Sequence, residues 1–253
     1  MKQAALVTST FGPGAVSRAL NVGWDLFCAT RSVSVTYAMI FAIFGLITIF
    51  TVEHLGTAPM ALPLAGGFML VGPILLVGYF RVADIALANG SPRMGDTLSG
   101  FRSSPRELWA VAAVSMLFYL IWITDAATLY GFMVGSLPTP IAKLLPADQS
   151  VVSFVVWSSV MGSVLAFIIF ATTAFTVPLL YYRRAGLVPA IITSVKAVFA
   201  NFFVAIGWAL LLAVAVIGSI LILPLFLVVF PVMAFASHAL YRELFPDGAA
   251  SGS

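Results

Sequence analysis

Side chains that could carry chemistry are few in this chain, and their spacing brings no reactive set together. The 253 residues include one cysteine, Cys28, and two histidines, His54 and His238. One cysteine excludes an internal disulfide and a Cys-x-x-Cys site, and no group of cysteine, histidine or carboxylate has metal-ligand spacing. Ser32 and Ser34 have no base in a recognisable relation to either hydroxyl. We therefore predict no catalytic residue, no metal, no cofactor and no enzyme.

The two histidines are predicted to lie too far apart to share an iron. His54 follows the first long apolar segment, and His238 lies near the end of the last one. On the threading derived below they lie near opposite faces of a bilayer, roughly 20–30 Å apart. A haem–copper centre, which needs several facing histidines, is therefore disfavoured. For His238 two interpretations stay open: a structural hydrogen bond near the membrane interface, or a functional role.

Charged residues avoid the middle of the apolar segments, whereas uncharged polar residues enter them. Proton-coupled carriers usually bury an acid or a base near the bilayer centre, and here Asp125 comes closest, at the end of a segment. Arg81 and Asp84 are expected to pair at the membrane surface. Hydroxyl side chains have two open interpretations, close helix packing and pore lining. They include Thr36, Ser115, Ser158, Ser159, Ser163, Thr172 and Thr173.

The elements that hold these side chains follow from the apolar composition. The sequence is 62% hydrophobic and 8% charged, against about 25% charged residues in soluble proteins. So few charges cannot cover a surface in water, which predicts an all-α membrane domain over residues 1–245 and a disordered tail over 246–253. The net charge of +3 is scattered without a basic run. The expected partner is therefore the lipid bilayer and not nucleic acid.

Intervals between charged residues give the number of membrane crossings, since about 20 apolar residues span the roughly 30 Å of hydrocarbon. The interval 196–242 encloses 45 residues without formal charge and would make a straight helix of about 68 Å. It must fold back, and Gly218 and Pro224 bracket the expected turn. Four other intervals each fit one crossing, which makes six in all: 31–53, 54–81, 107–125 and 148–183.

The distribution of arginine and lysine gives the orientation. With six crossings, eleven of the 12 Lys and Arg residues fall on the side of both termini, and Lys143 falls on the other side. Cytoplasmic loops carry such an excess, so both termini are expected in the cytoplasm. An apolar stretch over 128–145, broken by glycines and prolines, is expected to be surface-lying or re-entrant on the outer side.

A recurring order of proline, apolar residues, tyrosine and arginine closes the second, fourth and sixth crossings. Proline frees a backbone carbonyl and bends a helix, tyrosine favours the headgroup level, and arginine marks the cytoplasmic edge. These residues, with the histidine of the last crossing, are our candidates for helix bends and interface positions. They are Pro73, Tyr79, Arg81, Pro178, Tyr182, Arg183, Pro231, His238, Tyr241 and Arg242.

Apolar residues spaced by four and then three positions precede each odd-numbered crossing. Such a stripe predicts a short amphipathic helix that lies along the cytoplasmic membrane surface, and the first stripe is Leu20, Trp24 and Phe27. Three units follow, each a surface helix, a crossing and a return crossing. Coincidental recurrence of prolines, tyrosines and amphipathic turns is the open alternative. The predicted repeat units are 14–90, 91–186 and 187–245.

Three segments resemble a bacterial family of integral membrane proteins, domain of unknown function 2189. They are GWDLF (23–27) with Tyr37, GGFMLVGPILLVGYFR (66–81) and FPVMAFASHALYREL (230–244), while the middle third is less similar. The resemblance implies a six-helix inner-membrane protein. It implies no established activity and no catalytic residue.

Two functions are consistent with these observations. The scarcity of reactive groups, the amphipathic helices and the short loops favour a non-catalytic accessory or scaffold component of a membrane complex. Its partner would be another membrane protein or a second copy of the chain. The repeat, the proline-bent helices and the hydroxyls favour instead a channel or facilitator for a small uncharged or weakly charged solute. We take the first as the expectation and keep the second as the alternative.

Overall fold

The computed structural model of the chain describes residues 13–135, 139, 148–220 and 222–246. Nearly all of these residues are helical. The helices in these ranges are α1 (Pro13–Ala29), α2 (Arg31–His54), α3 (Ala61–Leu87), α4 (Met94–Arg102), α5 (Arg106–Met133), α6 (Gln149–Thr173), α7 (Thr176–Tyr181), α8 (Leu187–Ala200), α9 (Phe202–Ile220) and α10 (Leu223–Leu244).

Six helical stretches in the described part of the chain are long and apolar enough to span a membrane. This number confirms the predicted all-α fold class with six transmembrane helices. The stretches are Arg31–His54, Leu70–Leu87, Arg106–Met133, Gln149–Tyr181, Phe202–Ile220 and Pro224–Leu244.

The turn between the last two crossings lies where the sequence predicted it, between Gly218 and Pro224. Helix α9 ends at Ile220 and α10 begins at Leu223. Ile222 precedes α10 in an extended conformation, with φ −127° and ψ 90°. Pro224 then occupies the first turn of α10, where its missing N–H costs no intrahelical bond.

Helix α5 differs from the prediction, because it does not end at Asp125. It continues to Met133, so the first part of the 128–145 stretch is helix and not a surface-lying or re-entrant element. Asp125 is exposed on this helix. A charged residue indicates where the hydrocarbon region of the bilayer ends, but it does not by itself end a helix. The prediction that the helix ends at Asp125 is therefore wrong. Residues 136–138 and 140–147 lie outside the described residues.

Short helices α1, α4 and α8 each precede two long helical segments, and this order occurs three times in the described chain. It is the order that the three predicted units require. Helix order alone does not measure the similarity of the units, so the threefold repeat stays a prediction.

The helices that close each unit, α3, α7 and α10, finish at the same end of the bundle. The Arg183 guanidinium, just after α7, donates to the Ser103 carbonyl at 3.3 Å. Arg184 donates to the carbonyls of Phe245 at 2.5 Å and Pro246 at 3.1 Å, just after α10. We call this the arginine-rich end. Its arginines include Arg81, Arg102, Arg106, Arg183, Arg184 and Arg242.

Helices α6 and α7 are separated by a short break that follows from a proline. Pro178 cannot donate to the carbonyl of Ala174, four residues earlier. The Ser194 hydroxyl of α8 bonds a different pair of backbone groups at the break, since it accepts from the Phe175 N–H at 3.2 Å and donates to the Ala171 carbonyl at 2.8 Å. A neighbouring helix thus satisfies backbone groups that the break leaves open. At Pro73 and Pro231, by contrast, α3 and α10 continue as helix.

Helix α1 packs on α10 through small residues. Ala15 and Ala19 are at most 1% exposed, and Gly23 lies against the α10 backbone, close to Val232 and Ala236. Small side chains allow helix backbones to approach closely. Arg18 of α1 also forms an ion pair with Glu243 of α10.

The predicted stripe of α1 is only partly the face that packs. Phe27 is buried, whereas Trp24 is 51% exposed. The stripe consists of large apolar residues, whereas the contact with α10 depends on small side chains. Whether α1 also lies along a membrane surface stays a prediction.

A tyrosine pair fastens α2 to α3. The Tyr37 hydroxyl donates to the Leu75 carbonyl at 3.1 Å, and the Tyr79 hydroxyl donates to the Ser34 carbonyl at 3.2 Å. Their ring centroids lie 4.9 Å apart. Gly78 makes this arrangement possible, since a Cβ there would lie 2.7 Å from the Tyr37 ring.

Candidate functional site

The arginine-rich end contains a partly buried polar cluster formed by Asp84, Tyr182 and His238. These residues come from α3, from the residue after α7, and from α10, so one residue of each predicted unit contributes. The Tyr182 hydroxyl lies 2.8 Å from Asp84 Oδ1 and 2.8 Å from His238 Nε2. His238 Nε2 lies 3.6 Å from the same carboxylate oxygen.

The three groups fit a definite order of donors and acceptors. Tyr182 donates its single proton to the Asp84 carboxylate. Its oxygen can then accept from His238 Nε2–H, which places the ring proton on Nε2. The cluster is therefore a short chain from histidine to tyrosine to carboxylate. Each contact within it joins two different helical segments.

The groups of this cluster differ in burial, and burial affects the pKa of the Tyr182 hydroxyl. His238 is 1% exposed, whereas the Asp84 side chain is 29% exposed. Desolvation by burial raises the pKa of the Tyr182 hydroxyl well above its usual value, and the adjacent Asp84 carboxylate raises it further. Tyr182 thus stays protonated and remains a hydrogen-bond donor over the physiological pH range.

Aromatic rings surround the cluster. Tyr241 stacks on Tyr182 with centroids 5.5 Å apart and an interplanar angle of 4°, and the Phe80 ring lies 5.5 Å from that of His238. The backbone at Arg183 is left-handed, with φ 54°, so the chain turns sharply just after Tyr182. Packed rings and a tight turn hold the three polar groups in one geometry.

The tyrosines of the recurring pattern are buried or half-buried within the protein. Tyr79 is 0% exposed and Tyr241 is 2% exposed, and Tyr182 is half-buried. Hydrogen bonds account for the burial of Tyr79 and Tyr182, since each hydroxyl has a partner inside the protein. The same pattern therefore fastens helices to one another.

The arginines of the recurring pattern lie at the surface, as their type suggests. Arg81, Arg183 and Arg242 are exposed. The expected ion pair between Arg81 and Asp84 is wrong, because the carboxylate contacts Tyr182 and His238 instead. Helical spacing predicts Arg81 as the partner of Asp84, but tertiary packing places Tyr182 and His238 in contact with the carboxylate.

Metal-ligating residues do not gather in the described ranges. Within them there is no group of three or more His, Cys, Asp or Glu side chains that could hold a metal ion. Asp84 and His238 provide two such side chains, and Tyr182 lies between them. The arrangement is suited to fastening helices or to relaying a proton along a short path.

A cavity of about 430 Å³ lies between α3, α6, α9 and α10. Its wall is mainly apolar, with aromatic rings such as Phe68 and Phe230. Three of the four serines that line the wall, Ser158, Ser163 and Ser237, donate to carbonyls of their own helices at 3.2, 2.7 and 2.8 Å. Their protons are therefore already used, and the cavity offers a ligand few free donors.

Buried apolar side chains lie between this cavity and the arginine-rich end. Leu76 of α3 lines the cavity, and the next inward residues of α3, Val77 and Phe80, are at most 1% exposed. Leu179 and Leu180 of α7 are equally buried. These side chains form a packed layer beneath the cavity.

The fold and this packing define an integral membrane protein with six candidate spans. Residues 61–181 match the family described as "Predicted integral membrane protein (DUF2189)", which confirms the resemblance seen in the sequence. Of the three segments that suggested it, GGFMLVGPILLVGYFR falls in the matched range. The matched range also includes the middle of the chain.

Comparisons with curated proteins and with solved structures gave no match.

Proposed function

We propose that the protein is a non-catalytic accessory or scaffold component of a membrane complex. One observation carries the proposal: the polar groups at the arginine-rich end satisfy one another. Tyr182 joins Asp84 to His238, and Arg184 binds the end of α10. These polar side chains thus form hydrogen bonds that hold the helices together.

The orientation is part of this proposal. The arginine-rich end and both termini lie in the cytoplasm, and the protein is in the inner membrane of a bacterium. The eleven-to-one distribution of Lys and Arg supports this orientation. The outer loops would then be the ones between α2 and α3, between α5 and α6, and between α9 and α10.

A channel or facilitator for a small uncharged or weakly charged solute is the second candidate. The cavity of about 430 Å³ favours it. Two features oppose it: three of the four serine hydroxyls of the wall already donate to backbone carbonyls, and a packed layer that includes Val77 and Phe80 lies between the cavity and the arginine-rich end.

Purification from native membranes tests the scaffold proposal. The tagged protein, expressed at its natural level and extracted in mild detergent, should bring down one membrane protein in a fixed ratio. A tagged six-helix protein of unrelated sequence, expressed at the same level, identifies non-specific partners. Reconstituted in liposomes, the purified protein should give no more solute flux than empty vesicles.

The purification and the flux assay together distinguish the scaffold from the channel. Consistent recovery of the protein alone contradicts the scaffold proposal. Flux of an uncharged solute above that of empty liposomes, with the protein correctly inserted, favours the channel instead.

A further inference from the structure

We propose that the cavity between α3, α6, α9 and α10 binds one acyl chain of a bilayer lipid, which enters sideways between α6 and α9. The inference goes beyond the proposed function and does not depend on it. It rests on the position of the opening, the length of the cavity, the chemistry of its wall and the bare backbone at two of its glycines.

The opening faces the bilayer. In the described part of the chain, α6 and α9 are not among the helix pairs that pack closely. Their rings meet at Phe167 and Phe202, with centroids 6.3 Å apart. On the flanks of the cavity Ser159 and Ser163 are exposed, and Leu210 is 61% exposed. These segments lie within candidate membrane spans, so the medium outside the gap is lipid.

The length of the cavity fits a lipid chain. On α3 its wall runs from Leu62 to Leu76 and on α9 from Ile206 to Ile217, which is about 21 Å and about 17 Å at 1.5 Å per residue. One leaflet of a bilayer supplies about 15 Å of hydrocarbon. The volume of about 430 Å³ is within the roughly 300–1,000 Å³ of ligand pockets.

The chemistry of the wall selects an apolar occupant. A buried water needs two to four polar partners to be stable, and the hydroxyl protons of Ser158, Ser163 and Ser237 are already donated to backbone carbonyls. The Trp122 indole N–H is likewise donated, to the Pro63 carbonyl at 2.8 Å. A hydrocarbon chain leaves no polar group of its own unpaired there.

Two glycines leave open space in the cavity wall. A Cβ at Gly66 or Gly72 would meet nothing within 4 Å, whereas a Cβ at Gly67 or Gly162 would lie 2.7 Å from an aromatic side chain. Gly67 and Gly162 are thus explained by packing within the protein. Gly66 and Gly72 line the cavity and are explained by the close approach of a ligand to the backbone.

Quenching of Trp122 by brominated lipid tests the proposal. Trp122 lines the cavity and is 5% exposed, so lipid outside the bundle is screened from it. In full-length protein with Trp24, Trp109, Trp157 and Trp208 replaced by Phe, vesicles of phosphatidylcholine brominated in the acyl chain should quench Trp122 strongly. A reference variant that retains Trp157 alone, which is 56% exposed, measures quenching by surrounding lipid.

Filling the cavity supplies the decisive comparison. In the Trp122-only protein, Gly72→Leu should remove most of the quenching, and Gly66→Leu is a second filling variant should the first fail to fold. Gly45→Leu is the matched control, since Gly45 also has open space at Cβ but is not in the cavity wall; it should leave quenching unchanged. Absence of Trp122 quenching while Trp157 is quenched overturns the proposal, as does equal quenching in the filled and control variants.

Discussion

Replacing Gly23 by alanine should loosen α1 from α10 and destabilise the protein, because overpacking usually costs about 1–3 kcal/mol. The new Cβ would lie 2.6 Å from the Val232 carbonyl oxygen and 2.9 Å from the Ala236 amide nitrogen. Both are backbone atoms of a helix and cannot move aside separately. This loss should exceed the roughly 0.8–1.0 kcal/mol that alanine gains over glycine in helix propensity.

Two measurements check this prediction. Unfolding in SDS, followed by tryptophan fluorescence, gives the change in free energy of unfolding. Trypsin should also cleave after Arg18 faster, because that side chain is paired with Glu243 only while α1 is docked. Gly14→Ala is the control on the same helix, since its Cβ would meet only the flexible end of Arg18, at 3.2 Å. Equal stability of the two variants would show that the close contact does not hold α1.

Tyr182→Phe should also destabilise the protein, by about 1–3 kcal/mol, because it leaves a buried polar group without its partner. Phenylalanine keeps the ring that stacks on Tyr241 but removes the hydroxyl between Asp84 and His238. His238 is 1% exposed, so water cannot readily replace that bond. The effect should appear as a lower free energy of unfolding in SDS with helix content unchanged.

Tyr181→Phe provides the matched control. Tyr181 is the neighbouring ring and is also half-buried, yet its hydroxyl has no hydrogen bond among the described residues. A cycle of Tyr182→Phe, His238→Ala and the double variant should give a coupling energy of about 0.5–3 kcal/mol. Additive effects, or equal losses for Tyr181→Phe and Tyr182→Phe, would mean that the hydroxyl does not join the helices.

The number of crossings could be predicted because hydrophobic length is a property of the whole segment. The interval from Lys196 to Arg242 is too long for one crossing, and the observed turn between Ile220 and Leu223 lies where glycine and proline indicated. The end of α5 could not be predicted in this way. A helix ends where its backbone hydrogen bonds end, and the position of a single charge such as Asp125 does not predict that residue.

The sequence singles out the three residues of the polar cluster but does not predict that they contact one another. Tyr182 belongs to the recurring pattern, His238 is a separate candidate in the last crossing, and Asp84 is expected to pair with its neighbour Arg81. The contacts that unite them join residues 98 and 56 positions apart in sequence, and no local spacing encodes such distances. The face of α1 that binds α10 was missed for another reason, since its signal is the small size of Ala15, Ala19 and Gly23.

The threading of the chain is the central claim, and accessibility of single cysteines to a membrane-impermeant maleimide tests it most directly. Cys28 is the single cysteine of the chain and is exposed. Replacing it by serine gives a background for Ser103→Cys, between α4 and α5, and for Gln149→Cys, at the start of α6; both positions are exposed.

The account predicts that Cys28 in the unaltered chain and Ser103→Cys react in inverted inner-membrane vesicles and are protected in right-side-out spheroplasts. Gln149→Cys should show the opposite pattern, because it lies across one crossing, α5. Labelling of Ser103→Cys from the same side as Gln149→Cys would contradict the six-crossing threading and the orientation deduced from the arginines.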